Sequence, residues 1–269
     1  MTNLNAKELV EIKNKYYDTL IDELNNGSKP KLKELEDWKS SFIETLAKRY
    51  NEDNDIYINK DELIKIIEFK LKKGKFRPTL RKLVLQNEES IIISTINEAF
   101  NYFVLQLNKK DTKIDEENYL LIVKHSLEIL IKLRGVGPAT ASLLLSFLSG
   151  ITSKSPPFFS DEAAIEIFKK EDSNYKLKYN VKEYLHFIEY FFEIDSKFEF
   201  GFDNLESGLW CIGIGLPESI NDNINSNNND EHDQSKSKDR KLKLKNGDDD
   251  DNDDDDESGK SIKKRRLRS

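Results

Sequence analysis

Two glycines near the middle of the chain flank one apolar residue, and a turn of this kind could hold an anion. Gly135, Val136 and Gly137 follow an apolar run that predicts a helix ending at Leu133, and Pro138 suits the first position of a second helix. Both glycines can adopt positive φ, which would leave amide N–H groups pointing outward where the second helix dipole favours negative charge. The segment therefore predicts two helices joined by a turn that binds phosphate.

The residues around this turn resemble the helix-hairpin-helix motif of DNA glycosylases, polymerases and ligases. The matching residues are Leu133, Gly135, Val136, Gly137, Thr140 and Ala141. A dinucleotide-binding glycine motif fits less well, because a helix precedes the turn and Thr140 stands where that motif has its third glycine. The alternative is a helical corner, capped by glycine and proline, that binds no ligand.

The resemblance implies that the hairpin grips DNA phosphates and that its carbonyl oxygens can hold a monovalent cation, with no other cofactor. The DNA contacts predicted on this basis are Arg134, Gly135, Val136, Gly137, Ala139 and Thr140. The three histidines are scattered without the spacing of metal ligands, so no metal site is predicted.

An aspartate follows the second helix, at the start of a further predicted helix, where the resemblance to the helix-hairpin-helix DNA glycosylase superfamily implies a catalytic carboxylate. Asp161 is the candidate, and its role would be to stabilise an oxocarbenium ion or orient a nucleophile after a base has been flipped out. The alternative is an ordinary helix start, since Ser160, Asp161 and Glu162 are residues that favour a helix N-terminus.

Two departures from that superfamily limit which activity could be carried over. Ala139 stands where the bifunctional members have a lysine nucleophile, so no Schiff base can form there. Cys211 is the only cysteine, which excludes the four-cysteine cluster of some members as well as any intrachain disulfide. If the chain is an enzyme, it would be a monofunctional DNA N-glycosylase without lyase activity.

Residues 65–82 form a strongly basic segment in a chain whose formal net charge is −7. The segment holds eight lysines and arginines against the single acid Glu68. Its predicted role is to neutralise DNA phosphates, and the contacts assigned to it are Lys73, Lys75, Arg77 and Arg81. The alternative is a solvated lysine-rich helix face.

Helical periodicity dominates the first 216 residues, which contain every Phe, Tyr and Trp of the chain. We predict an all-α domain over residues 1–216, with the hairpin unit at 118–149. Predicted helices cover approximately 9–24, 32–50, 60–73, 78–86, 88–107, 115–133, 138–149, 161–170 and 180–195, followed by a last core element around Trp210. The run from Phe198 to Phe202 could be extended. No apolar run is long enough for a membrane span.

Residues 217–269 are rich in Asn, Asp and Lys and poor in apolar residues, so we predict a disordered tail. Basic clusters at 236–245 and 263–268 flank an acidic block at 248–257. Such clusters on an exposed segment indicate a nuclear import signal, with import receptors or chromatin proteins as partners. The alternative is low-complexity sequence without a targeting role.

The leading functional interpretation is a nuclear protein that binds the DNA backbone without strong sequence preference and could take part in DNA repair. A monofunctional glycosylase that uses Asp161 is the first alternative. A protein-interaction module that uses the hairpin and the tail is the second. Because bulk charge does not favour nucleic acid, any DNA binding must come from a local patch or motif.

Overall fold

The computed structural model describes residues 4–25, 31–109 and 114–216, and these residues form ten α-helices without a β-strand. The all-α prediction is therefore confirmed for the described residues, whereas the predicted tail lies outside them. A 3-10 turn, Phe147–Gly150, follows α7. The helices are α1 Ala6–Glu23, α2 Leu32–Asp53, α3 Lys60–Lys73, α4 Leu80–Leu85, α5 Glu89–Leu107, α6 Glu116–Leu130, α7 Pro138–Ser146, α8 Asp161–Phe168, α9 Val181–Ile194 and α10 Phe202–Ile214.

Side-chain caps fix where several of these helices begin. A capping box begins α3: the Glu62 N–H donates to Asn59 Oδ1 and the Asn59 N–H donates to Glu62 Oε2, both at 2.9 Å. Helix α6 ends at Leu130 instead of the predicted Leu133. The extra residues belong to the hairpin turn, because Val136 N–H bonds back to the carbonyl oxygen of Leu133.

Helix α7 lies at the centre of the core. Every residue from Ala139 to Leu148 is buried, including the three consecutive leucines 143–145, so this helix has no solvated face. Helix α10 packs against both α1 and α8. Its close approach to α1 is possible because position 208 is glycine: a Cβ there would lie 2.3 Å from the carbonyl oxygen of Leu9.

The aromatic run at 198–202 is a turn instead of a strand. The Asp195 carboxylate accepts the N–H groups of Glu199 at 2.8 Å and Phe200 at 3.0 Å, which curls the chain before α10. None of the helices in the described part of the chain combines the length and hydropathy that crossing a membrane requires.

Candidate nucleic-acid interface

The hairpin between α6 and α7 uses one left-handed glycine, not two. Gly135 has φ +79°, whereas Gly137 has φ −99° and ψ −179° and is the N-cap residue of α7. The prediction of positive φ at both glycines is therefore wrong for Gly137. The chain reverses at Gly135 and is already extended at Gly137, because an N-cap residue enters its helix from the β region.

The two glycines consequently have different reasons to lack a side chain. A Cβ on Gly135 would lie 2.9 Å from Val84 Cγ2 and 3.0 Å from Leu83 Cβ, so the hairpin touches α4 through this residue. A Cβ on Gly137 would meet no heavy atom within 4 Å. Gly137 is exposed, and its missing side chain leaves the backbone open to an approaching ligand.

Asn87, in the turn between α4 and α5, holds the hairpin in place. Its Nδ2 donates to the carbonyl oxygen of Arg134, and its Oδ1 accepts the Arg134 N–H, both at 2.9 Å. The backbone carbonyl of Asn87 accepts from Lys60 Nζ at 2.8 Å. Asn87 was not among the residues predicted from the sequence, and its buried side chain satisfies backbone groups that a turn would otherwise leave unpaired.

The start of α7 offers N–H groups for an anion. Within the described chain, no acceptor pairs with the N–H groups of Gly135, Gly137 and Ala139, whereas Thr140 N–H and Ala141 N–H bond to the Gly137 carbonyl oxygen at 2.9 Å. Since Pro138 has no N–H, the free donors come from both sides of it. The positive end of the α7 dipole adds to their attraction for a phosphate.

The predicted hairpin contacts separate into side chains and backbone. Val136, Ala139 and Thr140 are buried, so these three could meet DNA only through their main-chain atoms. Arg134 is exposed, and its Nη1 donates to Gln86 Oε1 at 2.9 Å. Arg134 is thus the one residue of the predicted hairpin set that carries a cationic side chain to the surface.

The basic segment is divided by the fold. Arg81 and Lys82 lie on α4, the helix that contacts Gly135, and both are exposed. Arg81 Nε lies 3.5 Å from Glu68 Oε1 in a half-exposed ion pair. The arginine and lysine on α4 are therefore neighbours of the hairpin in three dimensions, although about 50 residues separate them along the chain.

Residues 74–79 form a loop between α3 and α4, here called the basic loop. Lys75 and Arg77 are exposed, and Phe76 between them is 69% exposed. The Arg77 guanidinium lies 4.7 Å from the centroid of the Tyr179 ring. The loop thus presents two cations and one solvent-exposed aromatic ring.

Lys73 does not belong to this surface. It is 5% exposed, and its ammonium group donates to the Tyr17 hydroxyl and lies 3.5 Å from Glu36 Oε1. Its nitrogen is also 4.6 Å from the centroid of the Trp210 ring. A lysine held inside the core in this way is not available to a DNA phosphate, so the assignment of Lys73 as a DNA contact is corrected.

Asp161 is the first residue of α8, and Ser160 is the cap, since the Ser160 side chain accepts the Ala163 N–H. The Tyr179 hydroxyl donates to Asp161 Oδ2 at 2.8 Å. Burial and this hydrogen bond raise the pKa of Tyr179 to about 12, so the hydroxyl keeps its proton at neutral pH. The Asp161 carboxylate is therefore already engaged by a donor.

The cleft beside Asp161 is too small for a nucleobase. Its volume is about 10 Å³, the space of roughly one water molecule, and Lys70, Lys75 and Arg77 line it together with Asp161. No hairpin residue contributes to its wall. This cleft is therefore not the base-sized pocket beside the hairpin that an excision reaction by Asp161 would require.

We expect Asp161→Asn to have small effects. Asparagine keeps an acceptor for Tyr179 and leaves the Ser160 cap untouched, so the unfolding free energy should change by less than about 1 kcal/mol. Duplex affinity should stay constant or rise by up to about threefold, because a negative charge next to Arg77 is removed. Fluorescence anisotropy with a labelled duplex measures the affinity. Base release that depends on Asp161, from duplexes with uracil, alkylated or oxidised bases, would contradict this expectation.

Comparison with known proteins adds no assignment: no family model, no curated sequence and no solved structure matched this chain.

Proposed function

We propose that this protein binds the backbone of duplex DNA, without strong sequence preference, through the hairpin, the start of α7 and the exposed basic residues of α4. The observation that carries the proposal is the direct packing of α4 on Gly135, since α4 also carries the exposed Arg81 and Lys82 and the hairpin holds the free N–H groups. Main-chain N–H groups and cationic side chains are the groups that contact phosphates in many DNA-binding proteins.

Local charge is what makes this surface suitable. The residues before 217 hold 31 lysines and arginines against 35 acids, so the domain as a whole does not attract DNA. Arg134 lies in the hairpin, Arg81 and Lys82 lie on the helix packed against it, and Glu68 is the acid paired with Arg81. An exposed ion pair contributes little to stability, so Arg81 can exchange Glu68 for a phosphate at small cost.

The proposed DNA-binding surface also includes the basic loop. Lys75 and Arg77 would contact phosphates, and the exposed ring of Phe76 would pack on sugar or on an unstacked base. An aromatic ring that is 69% exposed gains free energy when a partner covers it. These contacts carry no sequence information beyond stacking strength, which agrees with backbone recognition.

A monovalent cation would fit at two hairpin oxygens. The carbonyl of Arg134 accepts from Asn87, and those of Leu133 and Gly137 accept backbone N–H groups. The carbonyl oxygens of Gly135 and Val136 accept no hydrogen bond from the described residues. A bound cation there would add positive charge next to the phosphate site.

Gly137→Ala tests the proposal. Because a Cβ at position 137 meets no heavy atom within 4 Å and φ −99° suits alanine, the unfolding free energy should change by no more than about 1 kcal/mol, the cost of alanine at an N-cap. Duplex affinity should fall by about tenfold, since the methyl group would occupy the space through which a phosphate approaches the N–H groups. Chemical denaturation and fluorescence anisotropy give the two values.

Gly135→Ala is the contrasting variant. It should lose about 1–3 kcal/mol of stability through its clash with Val84 and its positive φ. If Gly137→Ala binds duplex as tightly as the wild type, the hairpin N–H groups do not contact DNA and the proposal fails.

A protein-interaction role is the second candidate, and exposed apolar side chains favour it. Leu83, Leu85 and Ile131 lie near the hairpin with more than a third of their surface exposed. Salt distinguishes the two functions, because DNA binding releases counterions and weakens steeply as salt rises, whereas an apolar protein contact does not. Nuclear localisation, and import-receptor or chromatin contacts, stay predictions that rest on the sequence of residues 217–269.

A further inference from the structure

A cavity of about 300 Å³ lies between α1, α2, α3 and α10, away from the hairpin. Its wall combines apolar residues, Ile21, Ile43 and Phe158, with a larger set of charged and polar side chains. Small-molecule sites commonly start at this size, but this lining is more highly charged than most of them, which favours a charged ligand. This cavity could not be predicted from the sequence, because its lining comes from segments that are far apart along the chain.

Lys73 is the most deeply buried cation of the lining. Its ammonium donates to the Tyr17 hydroxyl, which in turn donates to Glu36 Oε1 at 2.5 Å. Lys73 Nζ also lies 3.5 Å from Glu36 Oε1, so two of its three N–H groups have partners among the described residues. The Lys73 ammonium group also lies near the rings of Phe69 and Trp210, which restrict its position. One of its N–H groups is left without a hydrogen-bond partner among the described residues.

Lys39 adds a second cation to this part of the wall. Its Nζ lies 3.9 Å from Glu36 Oε2, so Lys39 and Lys73 share one carboxylate. Burial alone would raise the pKa of Glu36, but the two ammonium groups together with the hydrogen bond from Tyr17 outweigh burial and lower that pKa. This part of the cavity therefore carries more positive than negative charge, and an anionic group would complete it.

Helix α10 supplies negatively charged side chains to the cavity wall. Asp203, Asn204 and Glu206 line the cavity from this helix, and Glu206 is 3% exposed. Glu206 Oε1 accepts from the Ser160 hydroxyl, and no lysine or arginine lies within ion-pair distance of Glu206 in the described chain. Burial raises the pKa of the Glu206 carboxyl, the charges of Lys73 and Lys39 offset part of that rise, and a ligand cation beside the carboxylate would offset more of it.

We propose that this cavity binds a small zwitterion of the α-amino-acid type, with its carboxylate on Lys39 and Lys73, its ammonium on Glu206, and an apolar side chain against Ile21, Ile43 and Phe158. The whole lining supports a ligand with both charges. It holds four lysines and five acids, so both positive and negative side chains face the cavity. The site is separate from the proposed DNA surface and does not depend on it.

Fluorescence of Trp210 tests the proposal. Trp38 is the only other tryptophan, so a Trp38→Phe background isolates Trp210, whose ring contacts Lys73. The full chain is titrated with leucine and with phenylalanine, and each is compared with its N-acetyl and carboxamide derivatives. We expect a saturable change with at least one free amino acid and binding about tenfold weaker, or weaker still, for both blocked derivatives, since each lacks one charge.

Two conservative variants assign the charges. Lys39→Gln should weaken binding of the free amino acid about tenfold but leave binding of the carboxamide, which has no carboxylate, unchanged. Glu206→Gln should weaken binding of the free amino acid about tenfold but leave binding of the N-acetyl form, which has no ammonium group, unchanged. Lys48→Gln and Glu52→Gln, on α2 outside the lining, are the matched controls. No saturable change with either amino acid, or equal binding of the blocked forms, would overturn the proposal. Duplex binding is measured in parallel and its failure would leave this result unaffected.

Discussion

Reversing the charge of Arg81 and Lys82 together, both to Glu, should lower the affinity for duplex DNA about 30-fold or more at moderate salt. Both residues are exposed on α4, the helix that touches Gly135, and each would neutralise a phosphate beside the hairpin. The loss should be equal for duplexes of unrelated sequence, because backbone contacts carry no base information. The slope of log affinity against log salt should become shallower by about two.

Lys7→Glu with Lys48→Glu is the matched control. Both lysines are exposed partners of surface ion pairs, with Glu11 and Glu52, and lie on α1 and α2. The net charge changes by the same amount in both double variants, so bulk electrostatics are held constant. Equal losses of affinity would mean that binding follows net charge instead of the hairpin surface, and a loss confined to one sequence would contradict backbone recognition.

Gly208→Ala should destabilise the fold by about 3 kcal/mol. The added Cβ would lie 2.3 Å from the carbonyl oxygen of Leu9 and 2.8 Å from its carbonyl carbon, so backbone would have to move away from backbone. The cost should appear as a lower denaturant midpoint, because α1 and α10 must separate to admit the methyl group.

Gly137→Ala is the control for Gly208→Ala, since a Cβ at position 137 meets no heavy atom within 4 Å. A Gly208→Ala midpoint equal to that of Gly137→Ala would show that α1 and α10 do not pack as closely as the structure has them. A change in the slope of unfolding free energy against denaturant would indicate that the compactness of the unfolded or native state had changed as well.

Local interactions explain why the sequence predicted the helices well. The spacing of apolar residues and caps such as Asn59 with Glu62 act within one or two turns, so they can be read from neighbouring residues. The end of α6 could not be predicted from neighbouring residues in the same way. Leu133 continues the apolar pattern, but its carbonyl closes the hairpin turn instead of a further helical turn.

Tertiary structure decided which side chains are buried and which residues they contact. Nothing in the run of basic residues at 65–82 distinguishes Lys73, which enters the core, from Lys75, which is exposed two residues later. The helix phase of α3 points Lys73 toward Tyr17, Glu36 and Trp210, and those partners come from α1, α2 and α10. A buried lysine needs such partners, and their positions are set only when the helices pack.

By itself the sequence determined the helical elements, the glycine turn and the order of charged segments, because each of these follows from interactions between near neighbours in the chain. The packing of α4 on Gly135, the engagement of Asp161 by Tyr179 and the charged cavity depend on contacts between distant segments. Only the tertiary structure could decide them, because the direction of a side chain at a helix surface has no meaning until a second helix lies against it.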